Sequence, residues 1–353
     1  MKRGAGRLIA GLIVWVAGEG FSGTGSAQTD KVPVEPEPES AEIVVEEDPT
    51  GGEDFLREQL RKLDRWGLLD LLRTERDVDR KQKQRARETT HPDELARLAE
   101  DEDGGVRFYV AANRYTPLST RAELAGDPAP YVRAGVAMSL EHDPLASAAD
   151  QQAAETIAAH LTRDPQSLVR LALAANGALT PVTYEALAVD ADPLVRLKLA
   201  ENRQASSAAL ALLAQDSSET VQIRALQHPE MPPDWLLTRS ASATAEIRLA
   251  IAGNPNAPLA ALTRLAADPD SRVREAVAGH PSTPLSVLRG LAADSSLVVS
   301  LAVVRHPRAD RELLLALADD RRDSTLRQTA QDRLVPLLRG EIREDVLQRW
   351  DNR

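Results

Sequence analysis

The chain has 353 residues, with 54 acidic and 43 basic side chains, a net charge of −11, 3% aromatics and no cysteine. The acidic balance argues against a nucleic-acid ligand. The absence of cysteine excludes disulfides, thiolate metal ligands, a cysteine nucleophile and a lipoprotein attachment site.

So few aromatics require a core of small and branched aliphatic groups, which suits stacked short helices better than a β-sandwich. In chain order, residues 1–27 read as a secretory signal peptide. Lys2, Arg3 and Arg7 form the charged start, an apolar run follows over residues 8–18, and Gly25, Ser26 and Ala27 offer small residues for cleavage before Gln28. The run is well short of the roughly 20 residues a helix needs to span a bilayer. The expectation is therefore a cleaved signal, export to a bacterial periplasm and no membrane span in the mature chain, with an uncleaved anchor as the alternative. Residues 28–54 alternate proline with glutamate and hold ten acidic side chains against Lys31. Their apolar surface is too small to offset the entropy of ordering, which predicts an extended, solvated linker.

Over residues 55–84 the pattern predicts N-terminal capping helices. Phe55, Leu56, Leu60, Leu63 and Trp66 recur at helical spacing, and Leu68, Leu69, Leu71 and Leu72 follow a break at Gly67. A repeat array needs such an end, with polar groups turned outward. Arg80, Lys81, Lys83, Arg85 and Arg87 accordingly read as a solvated face, in preference to a site for an anionic partner.

Residues 85–333 are an array. Val106, Val132, Val169, Val195, Val221, Ile247, Val273 and Val299 mark eight copies of one 26-residue phrase, with an 11-residue excess between Val132 and Val169. A fixed period of this size predicts an all-α solenoid, each repeat contributing two short helices that cannot stand alone. In the copy at Val273, the residues Val273, Ala276 and Val277 share one face. Asp268-Pro269 is expected to open this first helix and His280-Pro281 to stop it. Thr283-Pro284 should open the second, whose stripe is Leu285, Leu288 and Leu291. Leu124, Leu161, Leu187, Leu213, Leu265, Leu291 and Leu317 recur as the core series, and Ala172, Ala250, Ala276 and Ala302 are expected to let helices approach closely. The excess near residues 140–152 reads as loop decoration at one edge, with an extra turn of helix as the alternative. Residues 334–353 depart from the phrase and read as a C-terminal cap.

The order Val-Arg, Asn/His-Pro, Thr/Ala-Pro, Leu-x-x-Leu-Ala and Asp, clearest in the copies at Ile247 and Val273, resembles the leucine-rich repeat variant family over about residues 85–330. The resemblance implies a right-handed, HEAT-like superhelix in which α-helices alternate with short 3₁₀-like ones. Some members carry an N-terminal cysteine cluster for an iron–sulfur centre. This chain has no cysteine, so that cofactor is not carried over and no cofactor is expected.

Two recurring polar positions have side chains capable of chemistry. His228, His280 and His306 stand where other copies have Asn113, Asn176, Asn202 and Asn254, so they read as caps of a tight turn. Neighbouring helices ~8–10 Å apart make them a poor pair for one zinc, whose nitrogens lie at ~2.0–2.1 Å. His91, His142 and His160 lie off this series. Arg107, Arg133, Arg170, Arg196, Arg248 and Arg274 read as an internal ladder paired with Asp127, Asp164, Asp190, Asp268 or Asp294, with a positive stripe for a carboxylate or phosphate partner as the alternative. No nucleophile elbow, phosphate loop or distinctive carboxylate pair appears. The sequence therefore points to a non-catalytic scaffold that binds a protein or an envelope polymer, with a lyase-type HEAT-like enzyme as the alternative. The copy at residues 221–246 departs most from the phrase: Ala225 replaces a larger aliphatic residue, Arg239 the core leucine and Ser242 the aspartate, and Trp235 is the array's one tryptophan. Poor packing is expected there. Trp235 and Arg239, with Arg248 and Arg274, are the candidate partner-binding residues.

Overall fold

The computed structural model describes residues 80–141 and 145–338. The signal, the acidic linker, most of the N-terminal cap and the end of the C-terminal cap lie outside these residues. Nineteen α-helices and no strand occur among the described residues, and none of these helices is long and apolar enough to cross a membrane. The helices fall into two compact units that part between Leu173 and Ala174, inside the helix Ser167–Ala175.

Within each unit the first helices of successive repeats pack on one another, and the second helices do likewise. Pairs such as Gly104–Ala111 with Pro130–Ser139, and Ser271–Gly279 with Leu297–Arg305, form the stacked layers. Both helices of a repeat are α-helical. The second helix has seven or eight residues in most copies, as in Leu285–Leu291 and Pro181–Ala188, where the resemblance implied a 3₁₀-like one. Helices this short gain little from propensity and depend on burying their apolar stripe against neighbours. The boundaries expected at 84 and 333 both fall inside helices, Arg80–Glu88 and Ser324–Leu338, so the stack runs further at each end. At the first of these helices Lys83 is buried in an ion pair with Asp103 at 3.1 Å, while Arg85 reaches Glu94.

The core leucine series is buried throughout: Leu124, Leu161, Leu187, Leu213, Leu265, Leu291 and Leu317 are all at most 3% exposed. The alanine reading needs correction. Ala172 and Ala250 are buried, but Ala276 and Ala302 are only half-buried, while Ala200, Ala252 and Ala278, two positions later in the phrase, are all buried. In the first unit Gly135 marks a close approach of two stacked helices, where a Cβ would lie 3.0 Å from that of Ala111 and 3.2 Å from the Phe108 ring.

The helix starts also differ from expectation. Asp268-Pro269 lies just outside the helix, and the N-cap is Asp270, whose carboxylate accepts the Arg272 N–H. Asp268 instead accepts the N–H of Asp270, two residues on. Pro117 and Pro284 are themselves at the cap position. The threonines before them turn inward, and the hydroxyls of Thr116 and Thr283 donate to the carbonyls of Val110 and Val277 at 2.6 Å, tying the two helices of one repeat together. The excess is helical from Ala148 on, where loop decoration was expected, while residues 145–147 form the turn that leads into that helix. Ala148–Leu161 has 14 residues, opened by a Ser147 cap, and its extra length precedes the buried Ile157 and Leu161.

Candidate functional site: two interrepeat ladders

Each repeat leaves two groups of backbone carbonyls and amides without helical partners, one where the first helix ends and one where the second ends. Left buried and unpaired, each such group would cost ~1–3 kcal/mol. Two recurring side-chain ladders satisfy them.

The first ladder is made of arginine and aspartate. In the first unit Arg107 pairs with Asp127 and Arg133 with Asp164, each with Nε to Oδ2 at 2.6 Å. In the second unit Arg196, Arg248 and Arg274 pair with Asp216, Asp268 and Asp294 at 2.5, 2.6 and 2.7 Å. A second bond from Nη2 to Oδ1 makes every pair bidentate, the geometry that gives arginine–carboxylate contacts their strength and direction. Nη1 then donates to the carbonyl six residues earlier, as from Arg274 to Asp268 at 2.7 Å and from Arg196 to Asp190 at 2.6 Å. Each aspartate also accepts a backbone N–H two residues on. One guanidinium thus joins the loop that closes its own repeat to the loop that closes the previous one. The aspartate hydrogen bond holds the Arg248 and Arg274 guanidinium pKa above its ordinary value, outweighing their partial burial.

The second ladder uses the asparagine and histidine positions. In the second unit Asn202 donates to the carbonyls of Ala174 and Asn176, His228 to Asn202, Asn254 to Leu226 and His228, His280 to Asn254, and His306 to His280, all within 3.0 Å. In the first unit Asn113 donates to Ala86 and Thr89. The acceptor atom of each side chain takes the N–H two residues on, so the same residue caps its own turn and bonds to the preceding copy. The turn-capping role read from the sequence is present, and the bond between repeats is an addition to it.

Where a copy lacks a ladder residue, a side chain from elsewhere takes over. Ser139 stands at the asparagine position and bonds to the carbonyls of Ala111 and, within its own helix, Val136, while the buried Arg121 donates to the Asn113 carbonyl from a place that most other copies fill with leucine. Ser300 stands at the arginine position, and Arg322 supplies the missing fork, donating to the carbonyls of Ala292 and Asp294 and pairing with Asp320. Arg333 closes the second ladder on Val304 and His306. Sequence reasoning passed over Arg121, Arg322 and Arg333. The available signal was that each accompanies a departure from the phrase in the same or the next copy.

Of the candidate binding residues, Arg248 and Arg274 are rungs of the first ladder, with side chains only 12 and 15% exposed. Trp235 and Arg239 lie one turn apart on the helix Pro233–Arg239, both half-buried. This copy carries Gln222 in place of the ladder arginine and Ser242 in place of its aspartate, so both members of the pair are changed together. Gln222 still serves the Asp216 carbonyl at 2.5 Å and accepts from Arg239 Nη2 at 2.5 Å. Arg239 Nε is buried without a hydrogen-bond partner. The volume lost at Ala225 is restored next door, because Leu226 is fully buried where Ala200, Ala252 and Ala278 stand in other copies.

An orphaned donor and a missing ion pair still make residues 221–246 the weakest link of a stack whose units contact only their neighbours. Amide hydrogen exchange should open this copy before those at Val195 and Val273. Equal protection across the three copies would contradict that.

Residues 245–270 and 272–296 match the family model described as leucine rich repeat variant. No curated protein matches the chain. Both matched segments carry complete rungs of the two ladders, Arg248 with Asn254 and Arg274 with His280. The chain is therefore a helical repeat protein in which the copies at 245–270 and 272–296 match the leucine rich repeat variant model.

Proposed function

We propose that this chain is an exported, non-catalytic scaffold that binds a protein or an envelope polymer along its repeats, with Trp235 and Arg239 at the contact. A repeat-type helical scaffold fits a protein-interaction role. The observation that carries the reading is how the recurring polar side chains are spent: the ladder arginines, aspartates, asparagines and histidines go to the backbone and to one another. They are poorly placed to act on a substrate. The copy at 221–246 differs, since its half-buried tryptophan lies one helical turn from a half-buried arginine that belongs to neither ladder. Tryptophan and arginine are the residues most enriched at binding hot spots.

The test uses the chain isolated from the envelope fraction, with an intact mass expected to begin at Gln28. In a Trp66→Phe, Trp350→Phe background, Trp235 reports alone. Its emission should shift on titration with solubilised envelope protein or polymer, and Trp235→Ala should weaken binding at least ~10-fold, the effect of one hot-spot residue. A silent Trp235, unchanged affinity in Trp235→Ala, or a mass beginning at Met1 would each remove a part of the reading.

A further inference from the structure

The three ladder histidines do something that their asparagine counterparts cannot. Each ring is held in one neutral tautomer by its two backbone contacts. Nε2 faces the carbonyl of the preceding rung, 3.0 Å at His228, 2.8 Å at His280 and 2.9 Å at His306, and so carries the hydrogen. Nδ1 accepts an amide N–H, from Glu230, Ser282 and Arg308 respectively, at 3.0 to 3.1 Å. Both ring nitrogens are committed, and the rings are at most 5% exposed. A proton added to Nδ1 would point at an amide hydrogen, lose that bond and leave a buried charge.

We propose that His228, His280 and His306 form an acid-sensitive latch in the second unit, holding successive repeats together at neutral pH and releasing them as the imidazoles protonate. The placement is uneven along the chain. These rungs occupy the second unit, with Asn254 between the first two, whereas the described rungs of the first unit are Asn113 and Ser139, which do not titrate. Mild acid thus loosens one unit and spares the other.

The charges around the rings do not reverse this. At His228, burial is the leading effect and lowers the pKa; the Asn202 carbonyl and Glu230 oppose it, and Arg203 adds to it. At His280 burial acts against the Asn254 carbonyl alone. At His306 burial leads, the His280 carbonyl opposes it, and Arg308, Arg333 and the His280 ring reinforce it. All three are therefore lowered from the ordinary value of 6.5. Above about pH 6.5 folded and unfolded chains are both neutral at these positions, and the ladder contributes fully. Below it the unfolded chain binds protons that the folded chain refuses, so stability falls with pH until the folded values are reached. Each histidine can contribute up to about a tenfold loss in the folding constant per pH unit within that window.

The phrase itself supplies the control. Asparagine offers the same donor and acceptor at this position in other copies, so His228→Asn/His280→Asn/His306→Asn should keep the ladder and remove the titration. In the full-length chain, the denaturant midpoint of the wild type should fall between pH 7.5 and 5, and that of the triple variant should stay level. Amide protection, corrected for the intrinsic pH dependence of exchange, should fall with acid over residues 195–333 and change little over 104–139. Should the triple variant fail to fold, His280→Asn alone should remove about a third of the slope, and imidazole NMR of the wild type should show three rings in the Nε2–H form titrating below the ordinary imidazole value of 6.5. A level wild-type midpoint, an unchanged slope in the asparagine variants, or ladder histidines titrating at the ordinary imidazole value of 6.5 would overturn the latch.

Discussion

Arg274→Gln should destabilise the stack by ~1–3 kcal/mol, the cost of leaving a partly buried carboxylate without its charge-assisted bidentate partner. Asp294 keeps only its bond from the Ser296 amide, and the fork that joined it to the Asp268 carbonyl is gone. Asp294→Ser should cost less, since the long arginine can turn its charge toward water while a short carboxylate cannot. The double variant recreates at this rung the combination that residues 222 and 242 carry naturally, in which glutamine still serves the preceding carbonyl. It should therefore be more stable than the sum of the single effects by ~1 kcal/mol or more. Denaturant midpoints for the four proteins check this, and strict additivity would show that the pair is not coupled. The pair also has its own pH dependence. The Arg274 hydrogen bond holds the Asp294 carboxyl below its ordinary 3.8 against opposing burial. Its contribution is thus present above that value and lost as the pH falls below it. Acid unfolding should show this low-pH limb separately from the histidine window, and Arg274→Gln should shrink it.

The architecture was legible because the phrase repeats. Column by column, the aligned copies identify the core leucines, the turn-capping position and the arginine–aspartate pairing, and each holds in the structure. What the columns hide is compensation between positions. Ser139 reads as a lost rung until Arg121 is placed beside it, Ser300 until Arg322 is, and Ala225 as a cavity until Leu226 fills it. In each case the departure and its remedy lie in the same copy or its neighbour, so the signal was present as a pair and invisible one position at a time. The same holds for Gln222 with Ser242, where two departures that look like decay remove both halves of an ion pair and so avoid a stranded charge.

Local rules failed where a tertiary partner outbid them. Asp-Pro has the form of a helix cap, yet Asp268 is taken by Arg248 and by the amide of Asp270, and the cap moves two residues on. Thr-Pro has the same form, but the Thr283 hydroxyl finds a fully buried carbonyl. The excess near residues 140–152 was read as a loop because insertions in arrays fall at edges. The segment from Ala148 to Leu161 has six alanines and two glutamines among its 14 residues, and that helix propensity lengthens an existing element. Arg248 and Arg274 were named both as rungs and as binding residues, a conflict that the sequence could not resolve without the 20-residue reach to their aspartates.

Leu291→Ala should cost ~2–5 kcal/mol, the range for truncating a buried leucine, whereas Arg289→Ala, two residues away, should cost under ~1 kcal/mol. Leu291 is 3% exposed on the inner face of Leu285–Leu291, between the helices of adjacent repeats, so removing its side chain leaves a space that two short, rigidly stacked helices cannot close. Arg289 is half exposed and reaches Asp310 and Glu312 at 3.0 and 2.7 Å. Those are surface pairs, and solvent and salt screen most of their attraction. The comparison separates packing from charge within one turn of one helix. Because each repeat contacts only its neighbours, the leucine effect should appear locally, as faster amide exchange over residues 273–318 with little change near residues 195–213. Equal midpoint shifts for the two variants, or exchange that accelerates evenly along the second unit, would mean that the buried face of this helix is not what holds the repeats together.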